Sequence, residues 1–178
     1  PVGTNPGLID ELLSQEKTAS TVARFDDELG DDTKLIVSIG RVDYVKGTKE
    51  MLLSFERVLE KRPDLHGKVK LCVTSVSANA NMKVYATAKR TIEHLVGRIN
   101  GRFSTLAWTP ILLFTNALPF DQVIAYYKRA DVCWTTPLRD GLNLVAKEYI
   151  AAHGGKDGVL VLSEFTGVAV ALPQAILT

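Results

Sequence analysis

At 178 residues the chain is long enough for one ordinary domain with a core that needs no covalent staples. Its 21 basic and 20 acidic side chains leave a net charge of +1, and 46% hydrophobic with 23% charged residues is a normal globular balance. That near-zero charge excludes a general nucleic-acid or membrane-surface binder, which needs a positive excess on one face, and no apolar run approaches the ~20 residues of a membrane helix.

The start, PVGTNPGLIDELL, has no basic segment followed by an apolar one, so no signal peptide is expected there and the expected location is cytoplasmic. With no initiator Met, the chain is expected to be part of a longer protein. Residues 8–24 place Leu8, Leu12, Leu13 and Val22 at loose helical spacing, and the polar FDDELGDDT after them predicts a solvated loop. KLIVSIG (34–40) is a short β-branched run that reads as a buried parallel strand. From Thr48 to Lys61, Met51, Leu52, Phe55, Val58 and Leu59 recur on one helical face, with Pro63 just beyond.

KVKLCVTSV (68–76) predicts a second strand and residues 82–99 a long helix. In INGRF (99–103), Gly101 is expected to cap that helix, and Trp108 to pack in the core. PILLFTN (110–116) is a third strand, Pro119 opens a helix through Ala130, and DVCWTTP (131–137) is a fourth strand. Residues 142–152 form a fifth helix and GVLVLSEF (158–165) a fifth strand. Alternation of this kind gives an α/β domain with a doubly wound parallel sheet. Ligands of such sheets bind beyond the carboxyl ends of the strands, so the loops that matter are 40–47, 75–81, 114–119, 136–142 and 163–167.

The first of these loops reads GRVDYVKG, where Gly40 allows a sharp turn and Arg41 and Lys46 could grip a diphosphate from two sides. Two ordinary surface cations would look the same. No GxGxxG or Walker loop is present. The segment TPLRDGLNLVAKEYIAA (136–152) carries a turn at Asp140-Gly141 and then a helix from near Leu142. The first N–H groups of that helix lack intrahelical partners and suit a phosphate. Asp140 is either a helix cap or an acceptor for sugar hydroxyls. Glu148 is either paired with Lys147 or another neighbour, or an acceptor for a ribose cis-diol. Cys72 and Cys133 sit in apolar runs and are expected to be buried free thiols. His66, His94 and His153 are read as surface residues, and the acidic group of Asp26, Asp27, Glu28, Asp31 and Asp32 as a solvated loop rather than a metal site.

The motifs GRVDYVKG, GRINGRF, WTPI and TPLRDGLNLVAKEY, in this order, resemble the trehalose-phosphate synthase family of retaining glycosyltransferases from about Gly3 to Thr178. The closer likeness is to the branch that glucosylates glycerol-3-phosphate to make an osmolyte. Such enzymes have two Rossmann-like lobes in the GT-B arrangement, and residues 1–178 look like the C-terminal, donor-binding lobe alone, with the acceptor lobe elsewhere. The resemblance implies ADP-glucose as donor, a small phosphorylated acceptor, no cofactor and no metal. It implies that Arg41 and Lys46 hold the donor diphosphate and Asp140 hydrogen-bonds the glucose. Gly141, Leu142 and Asn143 would offer amides to sugar hydroxyls, Leu144 and Val145 amides to phosphate, and Glu148 would bind the ribose. The loop SVSANANM (75–82) lacks the arginine that trehalose-phosphate synthases use for the acceptor sugar phosphate, which favours a smaller acceptor over glucose-6-phosphate. Two alternatives stay open: a trehalose-6-phosphate synthase using UDP-glucose, and a non-catalytic nucleotide-binding module.

Overall fold

The computed structural model describes residues 3–30, 32–77, 83–154 and 157–178. Six parallel strands form the main sheet in the order β5-β3-β1-β6-β7-β8. These are β1 (Lys34–Ser38), β3 (Val69–Thr74), β5 (Ile111–Phe114), β6 (Val132–Thr135), β7 (Val159–Leu162) and β8 (Ile176–Leu177). Counted along the chain, the sheet reads 3-2-1-4-5-6, the doubly wound order. All five predicted strands are present, each shortened at one or both ends. β8 is an addition, and its two exposed residues are too few to show a period.

Helices α3 (Thr48–Lys61) and α4 (Lys83–Phe103) cover one face over Leu71, Val73 and Trp108. On the other face α1 (Pro6–Ser14), α2 (Glu16–Leu29), α5 (Phe120–Arg129) and α6 (Leu144–His153) cover Leu35, Val37, Cys72 and Cys133. Both thiols are buried and free, and burial pushes the Cys72 thiol up to about 12. At the amino ends of β1 and β6, Asp131 accepts from the Leu35 N–H at 2.8 Å and from Lys34 Nζ at 2.9 Å. That contact locks the two central strands in register.

Four expectations need correction. The predicted first helix is two helices that break at Gln15, whose backbone is extended. The second of them runs through the segment expected to be a solvated loop, as far as Leu29. Its reason is Phe25, which is 6% exposed and stacks on Tyr126 with ring centroids 4.3 Å apart. Asp26 pairs with Arg129 at 2.5 Å, so this acidic group is partly engaged in holding α2 to α5; Asp31 lies outside the described residues.

Gly101 does not cap α4, which continues to Phe103. Tertiary contacts outweigh the roughly 1 kcal/mol a helical glycine costs. Arg98 and Arg102 pair with Glu56 and Glu60 of α3, and the Asn100 amide bonds both N–H and C=O of Ile111 at 3.1 and 2.9 Å. Trp108 is buried as expected, its Nε1 donating to the Val69 carbonyl at 2.9 Å. Finally, of the three histidines only His94 is on the surface. His66 stacks on Trp108, and His153 is 8% exposed against Tyr149.

Phe25→Ala therefore lowers the unfolding free energy by about 3 kcal/mol in denaturant titration, whereas a residue in a solvated loop would change it by less than about 0.5 kcal/mol.

Candidate functional site

The strand order reverses between the parallel neighbours β1 and β6, and the crevice beyond their carboxyl ends is where an open parallel sheet receives a ligand. Two loops meet there. After β1 the chain forms β2 (Arg41–Val42), which pairs in parallel with β4 (Val76–Ser77). Arg41 thus stands on a short strand rather than a free loop, and its side chain is exposed. The turn at Gly40 is fixed by Thr74, whose hydroxyl accepts from the Gly40 N–H at 2.7 Å and bonds its carbonyl at 2.8 Å. A Cβ on Gly40 would meet nothing within 4 Å, so the special glycine of this motif is not Gly40.

It is Gly47. A 3-10 turn, Tyr44–Lys46, is capped by the Asp43 carboxylate and ends at Gly47 with φ 68°. A Cβ there would lie 2.3 Å from the Thr136 carbonyl oxygen of the β6 loop. The Val45 carbonyl accepts from the Leu138 N–H at 2.7 Å, stitching the two loops together. As a result Lys46 Nζ sits 2.7 Å from Asp140 Oδ2, with the two side chains 34% and 14% exposed.

Asp140 does not cap α6, which starts at Leu144 rather than near Leu142. Asn143 is the cap. It takes a left-handed backbone (φ 55°), alone among the described non-glycine residues, and asparagine tolerates this better than most. Its Oδ1 accepts from the Ala146 N–H at 3.1 Å, its Nδ2 donates to Thr135 at 2.9 Å, and it is 6% exposed. The sequence reading used only the Asn143 amide and missed this role. An Asn two residues past an Asp-Gly turn and directly before a helical run was the available signal.

The predicted amides divide into two groups. The Leu142 and Asn143 N–H groups turn toward the Asp140 carboxylate, Leu142 at 3.4 Å. Leu144 and Val145, in the first turn of α6, have no described backbone or side-chain partner for their N–H groups, and neither has Gly141. Gly141 is held from below by Gly167, where a Cβ would come within 2.1 Å of the Gly141 carbonyl oxygen. Asp140 itself is fixed by backbone bonds to Phe165 and Gly167 at 3.2 and 3.0 Å.

The two carboxylates are pushed in opposite directions. Burial raises the Asp140 carboxyl, but the Lys46 ammonium and the Leu142 and Asn143 N–H groups outweigh it and hold it below its ordinary value. Glu148, on α6, is half-buried and in no ion pair among the described residues, so the expected alternative of a salt bridge to Lys147 is not formed. Burial alone raises its carboxyl above 4.5.

The crevice lined by Gly40, Arg41, Lys46, Thr48, Thr74 and Thr135 is a small, comparatively enclosed pocket of about 30 Å³. A larger groove of about 500 Å³ runs past Tyr44 and Val84 between α3 and α4. The pocket holds the two cations that anion recognition uses, and Asn143, the cap of α6, bonds its Thr135, so it is the candidate site. Residues 78–82, most of the loop that lacks the expected arginine, lie outside the described residues. No group of three or more His, Cys, Asp or Glu among the described residues is placed to hold a metal ion. No described helix is long and apolar enough to cross a membrane.

The family model for glycosyltransferase family 20 matches residues 1–178. The chain belongs to glycosyltransferase family 20. It is 58% identical over its whole length to a glucosylglycerol-phosphate synthase of Picosynechococcus sp. and covers 35% of that protein. It is 54% identical to the one of Synechocystis sp., again over its whole length, and covers 36% of it. A solved structure, "Trehalose-6-phosphate from E. coli bound with UDP-2-fluoro glucose", superposes on all of this chain with TM-score 0.93 at 35% identity, and the match covers 39% of that structure. The chain thus spans somewhat more than a third of the length of these relatives.

The raised Glu148 carboxyl has a stability consequence. A group whose folded value exceeds its unfolded value stabilises only below the unfolded value, near pH 4.5, and costs stability as pH rises through the folded value. Glu148→Gln is therefore expected to raise the melting temperature at pH 7 by a few degrees and to give no gain at pH 4, measured by calorimetry at both pH values.

Proposed function

We propose that the full-length protein transfers glucose, with retention, from a nucleotide-glucose to a small phosphorylated acceptor, and that this chain is its donor-binding lobe. The observation that carries the reading is the Lys46–Asp140 contact at the sheet's switch point, where Asp140 also accepts from Leu142 just ahead of α6. In this reading, Arg41 and Lys46 grip the diphosphate together with the amides of Leu144 and Val145, and Asp140 accepts from glucose hydroxyls. Glu148, which no described cation neutralises, accepts from both hydroxyls of the ribose.

As the sugar–phosphate bond breaks, negative charge grows on the departing diphosphate. Arg41, Lys46 and the start of α6 stabilise that charge with groups already in place. No described side chain in this pocket is arranged as a protein nucleophile, so the role read here is electrostatic and positional.

ADP-glucose and glycerol-3-phosphate are the substrates we assign. The whole-length likeness to two glucosylglycerol-phosphate synthases supports them, as does the absence of arginine from residues 75–82. The product on this reading is an osmolyte of salt-stressed cells. A UDP-glucose-using trehalose-6-phosphate synthase is the second reading, favoured by the superposition on the structure bound with UDP-2-fluoro glucose. The Arg41, Lys46, Asp140 and Glu148 set speaks against a non-catalytic module.

Calorimetric titration with ADP, ADP-glucose, UDP and UDP-glucose separates the readings, and tighter binding of the adenine pair is expected. Arg41→Ala and Lys46→Ala each weaken nucleotide-sugar binding about tenfold to hundredfold, the loss of one charge-assisted contact. Unchanged affinity in both variants removes them from the donor site. Transfer assays of the full-length protein with glycerol-3-phosphate and glucose-6-phosphate decide the acceptor. Residues 1–178 alone are expected to bind donor without turnover.

A further inference from the structure

The Lys46 ammonium and the Asp140 carboxylate are partners of each other, 2.7 Å apart and largely shielded from solvent. In the reading above each also has a ligand group to serve, Lys46 the diphosphate and Asp140 the sugar. The two ligand groups do not arrive alone in equal measure. A nucleotide sugar brings both, whereas the nucleoside diphosphate left after transfer brings only the anion.

These two cases differ in charge. A diphosphate that engages Lys46 must take it from Asp140 or sit beside an ionised carboxylate. With a nucleotide sugar, the glucose hydroxyls donate to that carboxylate and replace what Lys46 gave up. With a nucleoside diphosphate nothing replaces it except the Leu142 and Asn143 N–H groups that Asp140 already holds. The Asp140 backbone is tied to Phe165 and Gly167 on both sides, so its Cα stays beside Lys46 when the ligand changes.

We propose that the Lys46–Asp140 pair is an exchange contact that makes the site favour the nucleotide sugar over the nucleoside diphosphate product, an inference that rests on the donor-site reading. Asp140 is then a specificity-determining residue with opposite effects on two ligands. It costs the product affinity and gives the donor affinity. Once the sugar has moved to the acceptor, the carboxylate reclaims Lys46 and helps expel the diphosphate.

The test is calorimetry on the full-length protein with ADP, ADP-glucose, UDP and UDP-glucose, comparing wild type with Asp140→Asn. Asparagine keeps the size and one acceptor oxygen but not the charge. The nucleoside diphosphate is expected to bind about tenfold tighter in the variant and the nucleotide sugar about tenfold weaker, a ratio change of about a hundredfold. In a Lys46→Met background the tightening should shrink below about threefold, since no pair remains to be broken. Asp140→Ala serves as the second variant, with the same expected direction for the nucleoside diphosphate. Equal weakening of both ligands overturns the exchange, and so does a tightening that is the same with and without Lys46, which would be repulsion alone. Failure of the wild-type protein to bind any of the four ligands would instead remove the donor-site reading itself.

Discussion

The approach of Gly47 to the Thr136 carbonyl is the constraint on which the candidate site depends. No side chain other than hydrogen fits the 2.3 Å to that oxygen, and the positive φ independently asks for glycine. Because the two loops close on one another here, the Val45 carbonyl reaches Leu138 and the Lys46 ammonium reaches Asp140. A wider gap would leave the cation of the first half-sheet and the carboxylate of the second as separate surface charges. Surface charges of that kind are worth little. The sheet order supplies the crevice, and this contact turns it into a site.

Asp140 and Glu148 show how one segment gives two carboxylates different characters. Asp140 is bracketed by an ammonium and by backbone N–H groups, which outweigh its burial. Glu148 has burial and no described ion-pair partner, so its charge is a cost the folded chain carries. Structural carboxylates in such a position are usually paired. An unpaired one is a residue kept for something other than stability, consistent with the ribose role proposed for it.

Several polar features expected at a helix end, in a solvated loop or on the surface are instead parts of the architecture. INGRF carries α4 onward and uses Asn100 to set the start of β5. Part of the acidic stretch around Asp26 is the polar side of a helix whose Phe25 packs on Tyr126. His66 and His153 are stacked against aromatic rings. Except for His153, whose ring partner Tyr149 is one helical turn away, each was held by a partner more than ten residues away, which local pattern cannot show.

What the sequence determined by itself was the order of strands and helices, the doubly wound class, and the loops where chemistry had to lie. Hydrophobic periodicity is local, and β-branched runs such as KLIVS and VKLCVT carry it without help from the rest of the chain. Arg41, Lys46, Asp140 and Glu148 could likewise be named from their loops and motifs. The tertiary structure alone decided how they are placed. It put Arg41 on a paired strand, gave the cap of α6 to Asn143, turned two predicted sugar-facing amides onto Asp140, and joined that residue to a lysine far away in sequence. The physical reason is that capping, ion pairing and close backbone approach depend on distances between segments, and only the folded sheet fixes those distances.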